Sequence, residues 1–315
     1  MDLVTEAHDR ESMVAAPAEG RVFTIHRRAL LSDCAPSGRL RLDALARWMQ
    51  DVAYADVEEA GLAQVAVWVL RRHRIVVRRF PRFGERCEVH TFCSGIGRMW
   101  AERRTTVTLA PPATGREAGA SSSTGASSST GTGSGPGTDV GTTSGTGARG
   151  APTRSEHAVH TGAELAHAAA DALVEAVALW VHLDPTRRTP SPVTAGERAV
   201  YASAAAGRRV LAHLRHQRPD AVAKAWPWSF RHTDTDLAEH VNNAAYWQPL
   251  EEELLGATPP LDPAAIDAEI EFRTPAQPGP KRILASGPRR WLTDPESGEV
   301  YASTLLRTAP ASLRA

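Results

Sequence analysis

The chain writes one short passage twice. Ser32-Asp33-Cys34-Ala35-Pro36-Ser37-Gly38-Arg39 falls on Thr233-Asp234-Thr235-Asp236-Leu237-Ala238-Glu239-His240, every residue standing 201 positions from its counterpart. A repeat of this kind marks one supersecondary unit used twice, so the flanking patterns should match as well. They do. In the first copy a strand at Val22 to His26 precedes a helix whose buried face carries Leu42, Leu45, Met49, Val52 and Asp56, at helical spacings of three and four. In the second, a strand at Trp226 to Arg231 precedes a helix carrying Ala244, Trp247, Leu250, Leu254 and Leu255, with Gly256 as its stop. Strands are expected after the first helix at Val67 to Leu70, Arg74 to Phe80 and Glu85 to Phe92. After the second they are expected at Ile266 to Phe272, Arg282 to Leu292 and Val300 to Leu306. A strand, a long helix and several antiparallel strands, repeated, predict an α+β chain in which each half wraps a sheet around one helix.

From about Pro111 to about Gly150 the sequence falls to Gly, Ser, Thr and Ala, which cannot bury enough apolar surface to offset its ordering entropy. We expect a disordered insertion there. Its Gly145-Thr-Gly147-Ala-Arg-Gly150 has no strand before it and no amphipathic helix after it, so composition explains the glycines better than nucleotide binding does. The segments on either side, Met99 to Leu109 and Leu173 to Leu183, alternate like the two arms of an antiparallel pair. The expected organisation is a flexible tail over 1–20, a first domain over 21–190 with its insertion at about 111–170, a connection over 191–225 and a second domain over 226–310.

Lys plus Arg and Asp plus Glu both number 36, so no global field favours nucleic acid or an anionic membrane. The three cysteines, Cys34, Cys87 and Cys93, lack metal or disulfide spacing and fit a reducing cytoplasm. No stretch has the apolar length of a membrane span, and residues 1–20 lack the apolar core of a signal peptide.

Packing residues must persist in both copies, whereas chemistry needs only one, so function is sought where the copies differ. Asp236 faces Ala35, His240 faces Arg39, Asn242 faces Arg41 and Asn243 faces Leu42. The second copy therefore holds the polar set, with Asp236 and His240 as candidate catalytic residues and Asn242 and Asn243 as candidate substrate ligands. Asp236, expected just before a helix, can activate water or attack directly, with helix-start N–H groups meeting the carbonyl oxygen. His240 would orient Asp236 or the water. Asp234 is expected to be structural, as a helix cap. There is no Cys after Cys93 and no G-x-S-x-G, which removes a cysteine nucleophile from the second half and the usual serine elbow from the chain.

Asp234, Asp236, His240, Val241, Asn242, Asn243 and Tyr246 resemble the D-x-D-x-N-x-H-V-N-N-x-x-Y pattern of the acyl-acyl-carrier-protein (acyl-ACP) thioesterase family. The resemblance extends to Trp68-Val69-Leu70, to Arg78 through Glu85 and to Gly97 through Ala101. It implies two tandem hot-dog domains, release of fatty acid from a phosphopantetheine carrier, catalysis by the second half and acyl-chain accommodation by the first. No cofactor and no metal is implied. This chain departs from the family at Ala238, where the catalytic Asn is expected, and at Pro275 and Ala276, where plant members carry Glu-Cys. Hydrolysis of acyl-CoA, and a non-catalytic protein that binds acyl thioesters, stay open as alternatives.

Arg71, Arg72, Arg74, Arg78, Arg79, Arg82 and Arg86 form a basic stripe that alternates with Ile75, Val77 and Phe80. Its plain reading is a solvated sheet face. The resemblance makes docking of an acidic carrier protein through Arg71, Arg72, Arg74, Arg78, Arg79 and Arg82 the functional alternative, while nucleic acid lacks the stacking aromatics it would need. Glu269 and Glu271 alternate with Ile270 and Phe272 and are expected to face solvent.

Overall fold

The computed structural model describes residues 13–16, 18–63, 67–111, 157–163, 171–210, 213–219 and 224–309. Eleven strands form one sheet in the order β5-β1-β3-β4-β6-β2-β8-β11-β10-β9-β7. The first half supplies β1 (Arg21–Arg28), α1 (Leu42–Glu59), β2 (Val67–Val77), β3 (Arg86–Ile96), β4 (Trp100–Leu109), β5 (His157–Thr161) and β6 (Val174–Leu183). A helix in the connection, α2 (Ala195–Ala205), leads to β7 (Lys224–Phe230), α3 (Gln248–Leu255), β8 (Ile266–Phe272), β9 (Gly279–Ser286), β10 (Arg289–Thr293) and β11 (Val300–Thr308). This is the tandem hot-dog plan, and the two half-sheets fuse where β2 pairs antiparallel with β8, Arg74 opposite Glu269 and Ile75 opposite Ala268.

The five positions expected on the buried face of the first helix are all buried, from Leu42 and Leu45 through Met49 and Val52 to Asp56. Asp56 is tolerated there because its carboxylate accepts from Arg21 Nε at 2.6 Å and Arg103 Nη1 at 2.7 Å. Among the described residues the main hydrophobic core runs through both halves, joining Leu45 and Met49 of α1 to Trp247 and Leu250 of the second half and to Ile75 and Ile270 of the seam, and two smaller clusters form beside α2.

The pairing of Met99 to Leu109 with Leu173 to Leu183 is present as β4 against β6, with Thr105 opposite Ala176. The strands expected at Val67 to Leu70 and Arg74 to Phe80 are one strand, β2. The one expected at Arg282 to Leu292 is two, β9 and β10, separated at Gly287, whose φ is +51°. The expected insertion at about 111–170 lies outside the described residues except at its edges and at 157–163, where β5 adds to the edge of β1. Of the expected flexible tail, residues 1–12 and 17 also lie outside them.

Two expectations about the outer face of the sheet are corrected. Glu269 and Glu271 do not face solvent: they are 4% and 0% exposed, because the connection at 213–219 crosses them. Glu271 accepts the backbone N–H groups of Arg215 (2.6 Å) and His216 (2.9 Å), and Glu269 accepts from His216 Nε2 at 3.2 Å. Burial alone would raise the Glu269 pKa. The His216 hydrogen bond and the Arg307 and Arg72 charges outweigh it and hold the carboxyl at about 2. Nor is the basic stripe a uniformly solvated face. Arg72 and Arg74 are buried, Arg74 in a bidentate pair with Asp267 (2.9 and 2.7 Å), while Arg78 and Arg82 are exposed. Strand periodicity assigns a side chain to a face; it does not say what lies across that face.

Candidate active site

The repeated passage folds into the same tight turn twice, hydrogen bond for hydrogen bond. In the first half Ala35 N–H donates to the Arg39 carbonyl (2.8 Å), Arg41 N–H to Asp33 (2.9 Å) and Leu40 N–H to Pro81 (2.8 Å). In the second, Asp236 N–H donates to the His240 carbonyl (3.0 Å), Asn242 N–H to Asp234 (2.8 Å) and Val241 N–H to Ala276 (3.0 Å). Each turn needs one left-handed residue. The first uses Gly38, with φ +84°, whereas the second uses Glu239, with φ +60°, a conformation disfavoured for a residue with a Cβ.

Asp236 sits half-buried at the start of its turn. Its Oδ1 accepts the Ala238 N–H at 2.9 Å and its Oδ2 accepts from Asn242 Nδ2 at 3.1 Å. Asn242 in turn accepts the Ala244 N–H through Oδ1 at 2.8 Å, which fixes the amide so that its NH₂ points at the carboxylate. Asn242 is thus the cap of a short 3-10 helix over Asn243–Trp247 that runs into α3. The expectation that Asp236 stands just before a helix is corrected here. A turn closed by the Thr235–Val241 bridge intervenes, and the capping role falls to Asn242.

His240 closes the same turn through its carbonyl, and its ring is half-buried. Among the described residues no hydrogen bond joins that ring to the Asp236 carboxylate; the structure brings Asp236 together with Asn242 instead. Asp234 is structural in its contacts, as expected, though through a different cap. Its carboxylate accepts the Arg231 N–H at 2.7 Å and the Gln248 amide at 3.4 Å. Burial works against ionisation there, but the hydrogen bonds from Arg231 and Gln248 hold the pKa below the usual carboxylate value. Tyr246 anchors the neighbouring loop by accepting the Ala276 N–H at 2.8 Å, and burial pushes its phenol up to about 12. That loop carries Pro275 and Ala276 against the turn, so the place is kept while its side chains offer no acid, base or thiol.

A narrow cavity opens between the halves. Its walls include Ala46, Met49 and Ala53 of α1, Leu70 of β2, and Ala178 and Trp180 of β6, and its polar lining is Gln50, His73, Arg103, Thr105 and Asn243. Asn243 is the one predicted site residue on this lining; Asp236 and His240 are not on it, and Asn242 joins the two groups through its bond to Asp236. Burial pushes the His73 imidazole down to about 4, so it stands neutral at pH 7, edge-on to Trp247 at 5.7 Å. The search for differences between copies missed Gln50 and His73. Gln50 was within its reach, because its counterpart 201 positions on is Glu251.

Among the described residues His216, Glu269 and Glu271 bring ligand-type atoms within 4.8 Å of one another. The carboxylates are already taken by Arg72, Arg307 and backbone N–H groups, so the cluster is an internal ion network beneath the connection.

Residues 21–124 match the acyl-ACP thioesterase N-terminal domain. The matched stretch runs from β1 through β4. Three solved structures share the fold across both halves of this chain. A putative oleoyl thioesterase from Lactobacillus plantarum aligns with a TM-score of 0.61 at 16% identity, covering 92% of this chain and 97% of its own. An acyl-ACP thioesterase from Bacteroides thetaiotaomicron gives 0.58 at 13%, covering 90% and 96%. A 12:0-ACP thioesterase from Umbellularia californica gives 0.55 at 15%, with the same coverage. In sequence the chain is also similar to an uncharacterized protein of Mycobacterium tuberculosis, 24% identical over 276 residues and 86% of each chain.

Proposed function

We propose that the chain hydrolyses fatty acyl-ACP thioesters to free fatty acid and carrier thiol, in fatty-acid biosynthesis in the cytoplasm, with Asp236 as the base. The observation that carries the reading is a carboxylate held from both sides, by the Ala238 N–H and the Asn242 amide, in a turn whose copy in the first half has Ala35. Residue 238 serves that carboxylate through its backbone, so the alanine in place of the family's Asn leaves the turn intact.

Asp236 takes a proton from water, and the water oxygen adds to the thioester carbonyl carbon. The C–S bond then breaks, and the sulfur leaves with the proton Asp236 had taken. A thiol of reference pKa about 8.5 is a good leaving group, so one carboxyl suffices for both transfers. His240, which does not hold Asp236, is assigned to the water, Asn242 to positioning Asp236, and Asn243 to the thioester at the mouth of the cavity. The acyl chain enters the cavity beneath α1. Arg78, Arg79 and Arg82 are the residues assigned to docking the acidic carrier: they pair with Glu175, Glu85 and Asp262 but stay at least partly exposed, whereas Arg72 and Arg74 are buried against Glu269 and Asp267.

Release of one acyl chain from carrier protein and from CoA tests the reading. Faster release from carrier protein is expected, and equal or faster release from CoA would reject the carrier preference. Binding of the acyl thioester without release above a denatured control would reject hydrolysis altogether.

A further inference from the structure

In the first half, the position that matches the candidate active site is filled by the protein itself. Glu251, from α3 of the second half, inserts its carboxylate there: Oε2 accepts the Leu42 N–H at 3.0 Å, and Oε1 and Oε2 take the Arg39 guanidinium at 2.6 and 3.1 Å. By the repeat, Leu42 corresponds to Asn243, Arg39 to His240 and Glu251 to Gln50. Burial follows the same register through the helices, with Met49 and Leu250, then Ala53 and Leu254, buried in both.

Transposing these contacts sends Gln50, from α1 of the first half, toward Asn243 and His240 of the second, and Gln50 and Asn243 do line one cavity. Among the described residues nothing hydrogen-bonds the Gln50 amide, and nothing accepts the Asn243 N–H. The first half has an oxygen already seated on its Leu42 N–H. The second has Asn243 on the lining of a cavity, and on the same lining Gln50, a neutral amide in place of the carboxylate.

We propose that Gln50 is a catalytic residue of the second-half site, its side-chain NH₂ donating to the thioester carbonyl oxygen seated beside Asn243. This rests on the thioesterase reading above. The oxygen that Glu251 places on Leu42 shows where an acyl oxygen sits in the matching site, and the exchange of Glu for Gln is what opens it. A carboxylate would present its own oxygen to that N–H and repel the charge that develops as water adds. An amide of the same length keeps the reach and supplies donors instead. The assignment also explains why a first half with no counterpart of Asp236, His240 or Asn242 at its turn is still part of the site: it delivers a donor across the interface.

The experiment uses the full chain and a single acyl-ACP, with wild type, Gln50→Met, Gln50→Glu and Asp236→Asn compared at pH 5.5 and 8. Gln50→Met, which keeps the bulk of the side chain and removes its donors, is expected to lose about a hundredfold in kcat with KM little changed. Gln50→Glu is expected to lose at least as much as Gln50→Met at both pH values, because a carboxylate of reference pKa about 4.3 is ionised at both and occupies the carbonyl site. Unchanged thermal melting shows that both variants fold. A Gln50→Met kcat within about threefold of wild type, or a Gln50→Glu variant faster than Gln50→Met, would overturn the assignment while wild-type turnover keeps the thioesterase reading standing. Wild-type release no higher than that of Asp236→Asn would overturn both.

Discussion

The turn at Ala35–Arg39 and the turn at Asp236–His240 have one backbone and opposite contents. In the first, Arg39 is fully buried and clamped by Glu251, with Asp262 3.1 Å from its Nε and its guanidinium over Phe80 at 5.0 Å, so its charge is paired within the protein. In the second, the guanidinium is replaced by the half-buried His240, the carboxylate of Glu251 by the amide of Gln50, and Ala35 by an anchored Asp236. A duplicated unit here has one copy closed by an internal ion pair and one left open to a cavity. The chemistry is read from what the open copy lacks as much as from what it holds.

The largest expected effect comes from unlocking the closed copy. Glu251→Ala leaves the Arg39 charge buried without its main partner and should cost about 3–5 kcal/mol of stability, read as a drop in the urea midpoint. A variant as stable as wild type would show that the pair does not hold the halves together.

Next is the acid response of the seam where the halves join. Because Glu269 is depressed from 4.5 to about 2, its contribution is fully present above pH 4.5 and is lost as pH falls through that window toward 2. Denaturation midpoints between pH 6 and 3 should fall more steeply in wild type than in Glu269→Gln, and parallel curves would contradict the pairing with His216, Arg307 and Arg72.

On the open copy, Asn242→Ala removes the amide that holds Asp236 Oδ2 and should lower kcat by roughly ten- to a hundredfold, with a stability loss near the roughly 1 kcal/mol of a helix cap. Steady-state kinetics beside a thermal melt separates the two. Ala53→Phe, at the cavity wall, should shift preference to shorter acyl chains by about fourfold for each methylene excluded, from about 0.8 kcal/mol per CH₂. An unchanged length profile would place the acyl chain elsewhere. The smallest effect belongs to the turn itself. Glu239→Gly gives the second copy the left-handed residue type of the first and should change stability by less than about 1 kcal/mol, in the stabilising direction.

Much of this was legible in the sequence, because burial leaves a periodic record. The heptad-like run from Leu42 to Asp56, the β4–β6 pair and the match of the Asp236 turn to the Ala35 turn all follow from spacing. The helix α2 and the strand β5 do not, since the first lies in a stretch of mixed polarity within the expected connection and the second beyond a low-complexity insertion. Glu269 and Glu271 alternate correctly and still mislead, because the segment that covers them is remote in the chain. Asn242 reads as a generic capping residue, and only the folded turn brings its other end to Asp236. Gln50 shows no motif at all. Its signal is relational, carried by the Glu251 it matches across 201 residues.

The central claim is that the open copy hydrolyses through its one anchored carboxylate. It is tested most directly by measuring fatty-acid release from an acyl-ACP by Asp236→Asn beside wild type, with circular dichroism confirming that both are folded. The account predicts that release by the variant falls to the level of denatured protein. Release at the wild-type rate from a folded Asp236→Asn protein would contradict it.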